Sequence, residues 1–180
     1  LDLLLNKFNN NFHHSWLFSG IKGIGKYKTA IHFIKTIYGD KENFDQQVFK
    51  VNNDENFAML DDIRILINQI SLTNSDHNTK SFIIIDNADS LNFNSFNALL
   101  KTIEEPPNNT VIIIICHDVR NIPKTIISRC IKLNFQPLNI NELQEYCNLK
   151  NLILDNSFLN ENYNLIGGSI EKLLILTNKE

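Results

Sequence analysis

The sequence predicts an α/β protein, a parallel sheet flanked by helices with a small helical segment after it. Two uninterrupted apolar runs, "SFIIID" at 81–86 and "TVIIIIC" at 110–116, are bounded by polar turns. Runs of this kind fit strands covered on both faces. A third, "SWLFSG" at 15–20, enters a glycine-rich turn that opens a helix-periodic stretch. Strands that alternate with helices throughout a chain pair most economically in a parallel sheet.

After the turn, "YKTAIHFIKTIYG" places Ala30, Phe33, Ile34 and Ile37 on one helical face, with Gly39 as the stop. Residues 40–56 are polar around "QVFKV", read as a connection and one strand. "LDDIRILINQIS" repeats apolar residues at Leu60, Ile63, Leu66, Ile67 and Ile70, an amphipathic stripe, and "SLTNSDHNTK" is a loop. "SFNALLKTIEE" is helical up to Pro106 and Pro107, because proline lacks the N–H donor and clashes with the preceding turn. After "SRCIKLNFQPL" the pattern changes. Asn139 and Glu142 stand at capping-box spacing, and two further short helical segments follow, separated by Gly167 and Gly168. The organisation expected is an α/β domain over 1–137 and a helical lid over 138–180. No internal repeat is present.

A hydrophobic fraction of 43% and a charged fraction of 21% are those of a globular protein. The net charge of −3 argues against a stand-alone nucleic-acid binder, which carries a strongly basic face. Cys116, Cys130 and Cys147 are odd in number and too widely spaced for a zinc knuckle, so they read as reduced residues of a cytoplasmic protein. No apolar run approaches a membrane span, and no signal-peptide pattern opens the chain. Because the chain begins at Leu1 rather than Met and stops at Glu180, part of it is expected to lie beyond these ends.

The chemistry is concentrated in "SGIKGIGKYKTA", Ser19 to Ala30, which nearly has the phosphate-loop spacing G-x-x-x-x-G-K-[ST]. In such a loop successive backbone N–H groups and a helix N-terminus surround phosphates while a lysine neutralises them. Gly20, Gly23, Gly25 and Lys26 satisfy that pattern, but Tyr27 replaces the small hydroxyl that would ligate magnesium. Magnesium demands short, near-octahedral oxygen contacts, which a tyrosine at that position does not reach. A second motif expects an apolar strand ending in Asp-Glu. Here Asp86 is kept and Asn87 replaces the glutamate, which removes the group that would take a proton from water.

"FSGIKGIGK", "IIIDNADSLNFNSFNALLKTIEEPPNNT" and "NIPKTIISRC" together resemble the bacterial DNA polymerase III clamp-loader ATPases of the AAA+ superfamily, over about Trp16 to Leu138 and more weakly through the lid. The resemblance implies a P-loop NTPase-type sheet, a three-helix lid, and a C-terminal collar domain outside this chain. Within the family, "DDIRILINQISLT", the "CHD" after the strand at 110–116 and the altered motifs lean toward the delta-prime branch.

That branch implies a fixed member of a five-subunit ring with delta and gamma/tau partners, which opens the sliding clamp and closes it around primed DNA. It also implies an arginine in S-R-C, here Arg129, reaching into a neighbour's ATP site from the end of a short helix "NIPKTIIS". A guanidinium suits that role because it stays charged and forks onto phosphate oxygens.

The family's sensor after the "TVIIIIC" strand falls at Cys116 or His117. In the lid, Glu171 occupies the motor-subunit sensor position and Lys172 the delta-prime-like one; a carboxylate there repels phosphate. The family's four-cysteine zinc module has no counterpart between residues 31 and 115, so no metal is expected. No cofactor is required on this reading, with weak ATP or ADP binding left open. His13 and His14 are turn residues or neighbours of an adenine pocket. The rival expectations are an ATP-hydrolysing motor subunit and a direct DNA-binding module.

Overall fold

Alternate residues of the isoleucine-rich runs face opposite ways, as in any strand, and both faces find a helical cover. The computed structural model describes residues 13–38, 48–52, 65 and 80–177. Strands β1 (Ser15–Ser19), β2 (Val48–Asn52), β3 (Ser81–Asp86), β4 (Thr110–Cys116) and β5 (Ile131–Asn134) form a five-stranded sheet in the order β2-β3-β4-β1-β5. Every pairing is parallel. All of β4 is buried, whereas β5, at an edge, alternates between half-buried and exposed positions.

On one face Trp16, Phe18, Phe82, Ile84 and Ile113 pack against Ala30, Phe33 and Ile34 of α1 (Lys26–Tyr38). Trp16 and Phe33 meet edge to face at 5.7 Å, the arrangement ring quadrupoles favour. On the other face Leu17, Ile83, Ile85, Ile112 and Ile114 pack against Phe96, Leu99 and Ile103 of α2 (Phe93–Glu104) and Ile126 of α3 (Lys124–Ile127). The stripe read from the sequence is therefore the stripe α1 buries. Asn92 caps α2 by accepting the Ser95 N–H at 2.9 Å, and the helix ends before the proline pair.

Three helices follow the sheet: α4 (Ile140–Leu149), α5 (Asn156–Ile166) and α6 (Ile170–Thr177). They enclose a core of their own, made by Leu143, Cys147, Leu159, Ile166 and Leu173. The Asn139–Glu142 capping box is formed in both directions, at 3.0 and 2.8 Å. The Leu138 N–H donates to Gly168 O and the Tyr163 hydroxyl to Leu138 O, tying the entry of this segment to its second turn.

"QVFKV" forms a strand displaced by one residue, Val48–Asn52. The Gly39 stop, the polar connection before Val48, the amphipathic stripe at 60–70 apart from helical Ile65, and most of the loop after it lie outside the described residues. His14 takes the turn alternative. Its Nε2 lies 2.9 Å from Ile103 O, at the end of β1 opposite the glycine turn.

Candidate functional site

Parallel pairing places Ser19, Asp86 and Cys116 at one edge of the sheet, the carboxyl ends of the strands, where open α/β folds bind ligands. A cleft of about 540 Å³ lies there, lined by Gly23, Gly25, Lys26 and Tyr27 from the turn and α1, Asp86 and Asn87 after β3, His117 after β4, and Tyr146, Ile170, Glu171 and Leu174 from the three-helix segment. The structure thus brings Gly23, Gly25, Lys26 and Asp86 together. Gly20 does not line the cleft itself, although its carbonyl is held by Lys26. At φ +145°, a Cβ there would lie 2.4 Å from Phe135 O, so a glycine here permits the close approach of two chain segments.

Lys26 is almost fully buried, and its Nζ donates to Gly20 O at 2.6 Å and Ile21 O at 2.8 Å. Burial lowers its pKa, and the nearby charge of Asp86, with smaller effects from Cys116 and Asp89, partly opposes this. Tyr27 packs against the α1 face of the core, and the Thr29 hydroxyl donates to Gly25 O within its own helix. Asn87 Oδ1 accepts the Asp89 N–H at 3.0 Å, capping the turn that follows β3.

Of the two sensor alternatives, the structure places His117 on the cleft and Cys116 in the core beneath α2. Burial pushes the Cys116 thiol up to about 12, with Asp89 adding to the effect. Burial, followed by the charge of Lys26, lowers the pKa of His117 against the opposing pull of Asp89 and Asp86, which favours the neutral imidazole. In the helical segment Glu171 lines the cleft and Lys172 does not.

Two carboxylates with no role in the sequence reading fix the turns at the strand ends, Asp89 at this edge and Glu104 at the opposite one, where β4 and β5 begin. Asp89 accepts the backbone N–H groups of His117 and Asp118, and so fixes the chain that carries His117. Glu104, the last residue of α2, pairs with Arg129 at 2.7 Å. Arg129 lies just past α3, outside the cleft, and its Nη1 also donates to Thr125 O at 3.0 Å. Among the described residues no group of three or more His, Cys, Asp or Glu is placed to hold a metal ion, and no helix is long and apolar enough to cross a membrane.

The family model described as DNA polymerase III, delta subunit, matches residues 43–139, more than half of the chain. The chain belongs to the DNA polymerase III clamp-loader family. The DNA polymerase III subunit gamma of Buchnera aphidicola subsp. Baizongia pistaciae is 33% identical over 147 residues, covering 73% of this chain and 40% of that protein. Its counterpart from Buchnera aphidicola subsp. Acyrthosiphon pisum is 31% identical over 169 residues, 85% of this chain and 46% of the other. This clamp-loader chain therefore spans less than half the length of these curated relatives.

A DNA polymerase III gamma subunit-related protein of Thermotoga maritima superposes with a TM-score of 0.66 at 20% identity, over 99% of this chain and 61% of that one. A single-residue variant of Thermotoga maritima RuvB gives 0.68 at 15% identity, over 98% and 58%. At such identities the likeness speaks for the fold alone, and that fold is the AAA+ P-loop NTPase architecture of the clamp-loader family.

Proposed function

We propose that this chain is a non-catalytic, delta-prime-like subunit of the clamp loader, which scaffolds the ring and donates Arg129 to the ATP site of a neighbouring motor subunit. The observation that carries the reading is the position of Arg129. It stands outside the chain's own cleft, past a short helix, with a side chain 42% exposed and directed by Glu104 and Thr125. A guanidinium so placed is of no use to the chain's own phosphate turn and is available to a partner. The cleft supports the same reading, since Tyr27 and Asn87 occupy the positions where magnesium ligation and proton abstraction need other groups. The partners on this reading are gamma/tau and delta subunits, with sliding clamp and primed DNA engaged by the assembled ring, in the cytoplasm.

One observation favours a second reading, an ATP-hydrolysing motor subunit: the curated relatives described above are named gamma. Two measurements separate the readings. The isolated chain with Mg-ATP is expected to show no hydrolysis above background; turnover near 1 per second, an ordinary enzymatic rate, would support the motor subunit instead. In a loader reconstituted with wild-type motor subunits, Arg129→Ala is expected to leave assembly intact and to lower clamp- and DNA-stimulated ATPase by roughly tenfold or more, below the largest arginine-finger effects because several sites contribute. Arg129→Lys should rescue poorly, having lost the planar fork. Unchanged ATPase in Arg129→Ala would make this arginine structural.

A further inference from the structure

The four consecutive carbonyls Gly20 to Gly23 of the glycine turn are all engaged, and two of them by the helical segment. Lys26 takes Gly20 O and Ile21 O from below. From above, the Ser169 hydroxyl donates to Lys22 O at 3.0 Å, and the Glu171 backbone N–H donates to Gly23 O at 3.1 Å. Ser169 Oγ also accepts the Lys172 N–H at 3.4 Å, so one hydroxyl both closes the first turn of α6 and fastens it to the loop. The contact leaves no space. At φ +79°, a Cβ on Gly23 would lie 2.4 Å from both Glu171 Cβ and Ser169 Oγ, and 2.8 Å from Glu171 Oε2.

The Glu171 carboxylate therefore rests against the turn in the same cleft as Lys26, and Lys22 Nζ pairs with it at 3.5 Å. With side chains 72% and 44% exposed, that ion pair contributes little by itself. Its consequence lies in the sign of the charge. A phosphate loop attracts polyphosphate through N–H groups and lysines, and here one of those lysines already faces an anion carried by the protein.

We infer that Ser169 and Glu171 form a latch that closes the helical segment onto the glycine turn and sets the cleft against nucleoside polyphosphates, with the Glu171 carboxylate as the excluding group. A polyphosphate entering the turn must displace or neutralise that carboxylate, and like charges brought together in a partly desolvated cleft repel more strongly than in water. The latch belongs to the chain's own cleft and does not depend on Arg129 acting on a neighbour. A failure of one leaves the other standing.

The experiment is a titration of the purified chain with fluorescent mant-ADP and mant-ATP, with inorganic pyrophosphate as competitor. Glu171→Gln, which keeps the side-chain length and the backbone N–H but loses the charge, is expected to bind on the order of tenfold tighter than the unaltered chain, the scale of a typical coupling between two sites. Ser169→Ala, which loosens the latch without changing charge, is expected to gain less. Adding Lys26→Ala to Glu171→Gln should remove the gain, because the ligand gained is a phosphate.

Should neither Glu171→Gln nor Glu171→Ala bind more tightly, the carboxylate is not the excluding group. A gain that survives Lys26→Ala also overturns the assignment, because binding would then lie elsewhere. Amide hydrogen exchange on the unaltered protein tests the latch without any variant. The Glu171 N–H should be protected to the same degree as that of Leu173, which bonds within α6 to Ser169 O. Exchange of Glu171 at an open-chain rate would mean that the segment does not close on the turn.

Discussion

The Asp89 carboxylate accepts the backbone N–H of His117 at 2.6 Å, joining the turn after β3 to the turn after β4. Its other oxygen accepts the Asp118 N–H at 2.9 Å and lies 3.3 Å from Asn121 Nδ2. Hydrogen bonds to an ionised acceptor are the strong ones, and removing the acceptor leaves two half-buried donors without it. Asp89→Ala should therefore destabilise the chain by about 1–3 kcal/mol, and Asp89→Asn, which keeps one acceptor oxygen, by less. Urea unfolding of the three proteins checks this. A loss under about 0.5 kcal/mol for the alanine variant, the range of an ordinary surface change, would mean that water replaces the carboxylate at no cost.

Arg129 and Glu104 give the opposite expectation for stability. Their side chains are 42% and 46% exposed, and exposed ion pairs contribute between about 0 and 1 kcal/mol. Arg129→Ala and Glu104→Gln should each melt within a few degrees of the unaltered chain. Thermal unfolding is the control that gives the reconstituted ATPase its meaning. A large drop in melting temperature for Arg129→Ala would assign the residue to the fold and remove the basis for reading a lost activity as a lost finger.

Much of the sheet was legible because its strands are buried on both faces. Seven consecutive buried residues in β4 leave a continuous apolar run that no surface element carries. The Asn139–Glu142 cap was legible because both partners sit within one turn of helix. The site was legible only where the chemistry is local. The glycine motif groups Gly20 with Gly25, but it does not announce that Gly20 also meets Phe135, a residue far along the chain. Asp89 was silent because the amides it holds are 28 and 29 residues away, and Glu104 because nothing near it in sequence announces Arg129. Cys116 and His117 were inseparable as a spacing. At a strand end the side-chain alternation decides, and it turns Cys116 into the core.

The same burial makes the thiols inert. Cys116 and Cys130 are each pushed up to about 12 by burial, and burial also raises Cys147. At pH 8 a thiol of that kind is ionised on the order of one part in ten thousand, and the thiolate is the reactive form. The native protein should leave all three cysteines unmodified by iodoacetamide, and the unfolded protein should have all three modified, as intact-mass measurement would read. The sign for stability follows from the raised values. Folding favours the protonated thiol, so this contribution is complete below the ordinary value of 9.0 and is lost as pH rises from there toward 12. Rapid alkylation of the native chain at pH 8 would show that the core opens more readily than its packing implies.

Lys26 titrates in the same alkaline range with the opposite sign, which makes it separable. Its pKa is lowered by burial from 10.5, so folding favours the neutral amine, and in the interval between the folded value and 10.5 the unfolded chain binds more protons. Stability contributed by this residue must rise with pH across that interval. Lys26→Met keeps the apolar stem but leaves Gly20 O and Ile21 O without their Nζ donor, an expected loss of about 1–3 kcal/mol at pH 7. The informative quantity is the stability difference between the unaltered chain and Lys26→Met, measured by urea unfolding from pH 7 to pH 10.5. Titration of Cys130 and Cys147 is common to both proteins and cancels in that difference, as long as the variant keeps the same core, whereas Cys116 feels the charge of Lys26 and loses that influence in the variant. A difference that grows with pH is expected, because the unaltered chain sheds the penalty of a buried ammonium while its amine still donates to the two carbonyls. A flat or shrinking difference would mean that the charge of Asp86 and its neighbours outweighs burial, and that Lys26 is held in the turn as a stabilised cation.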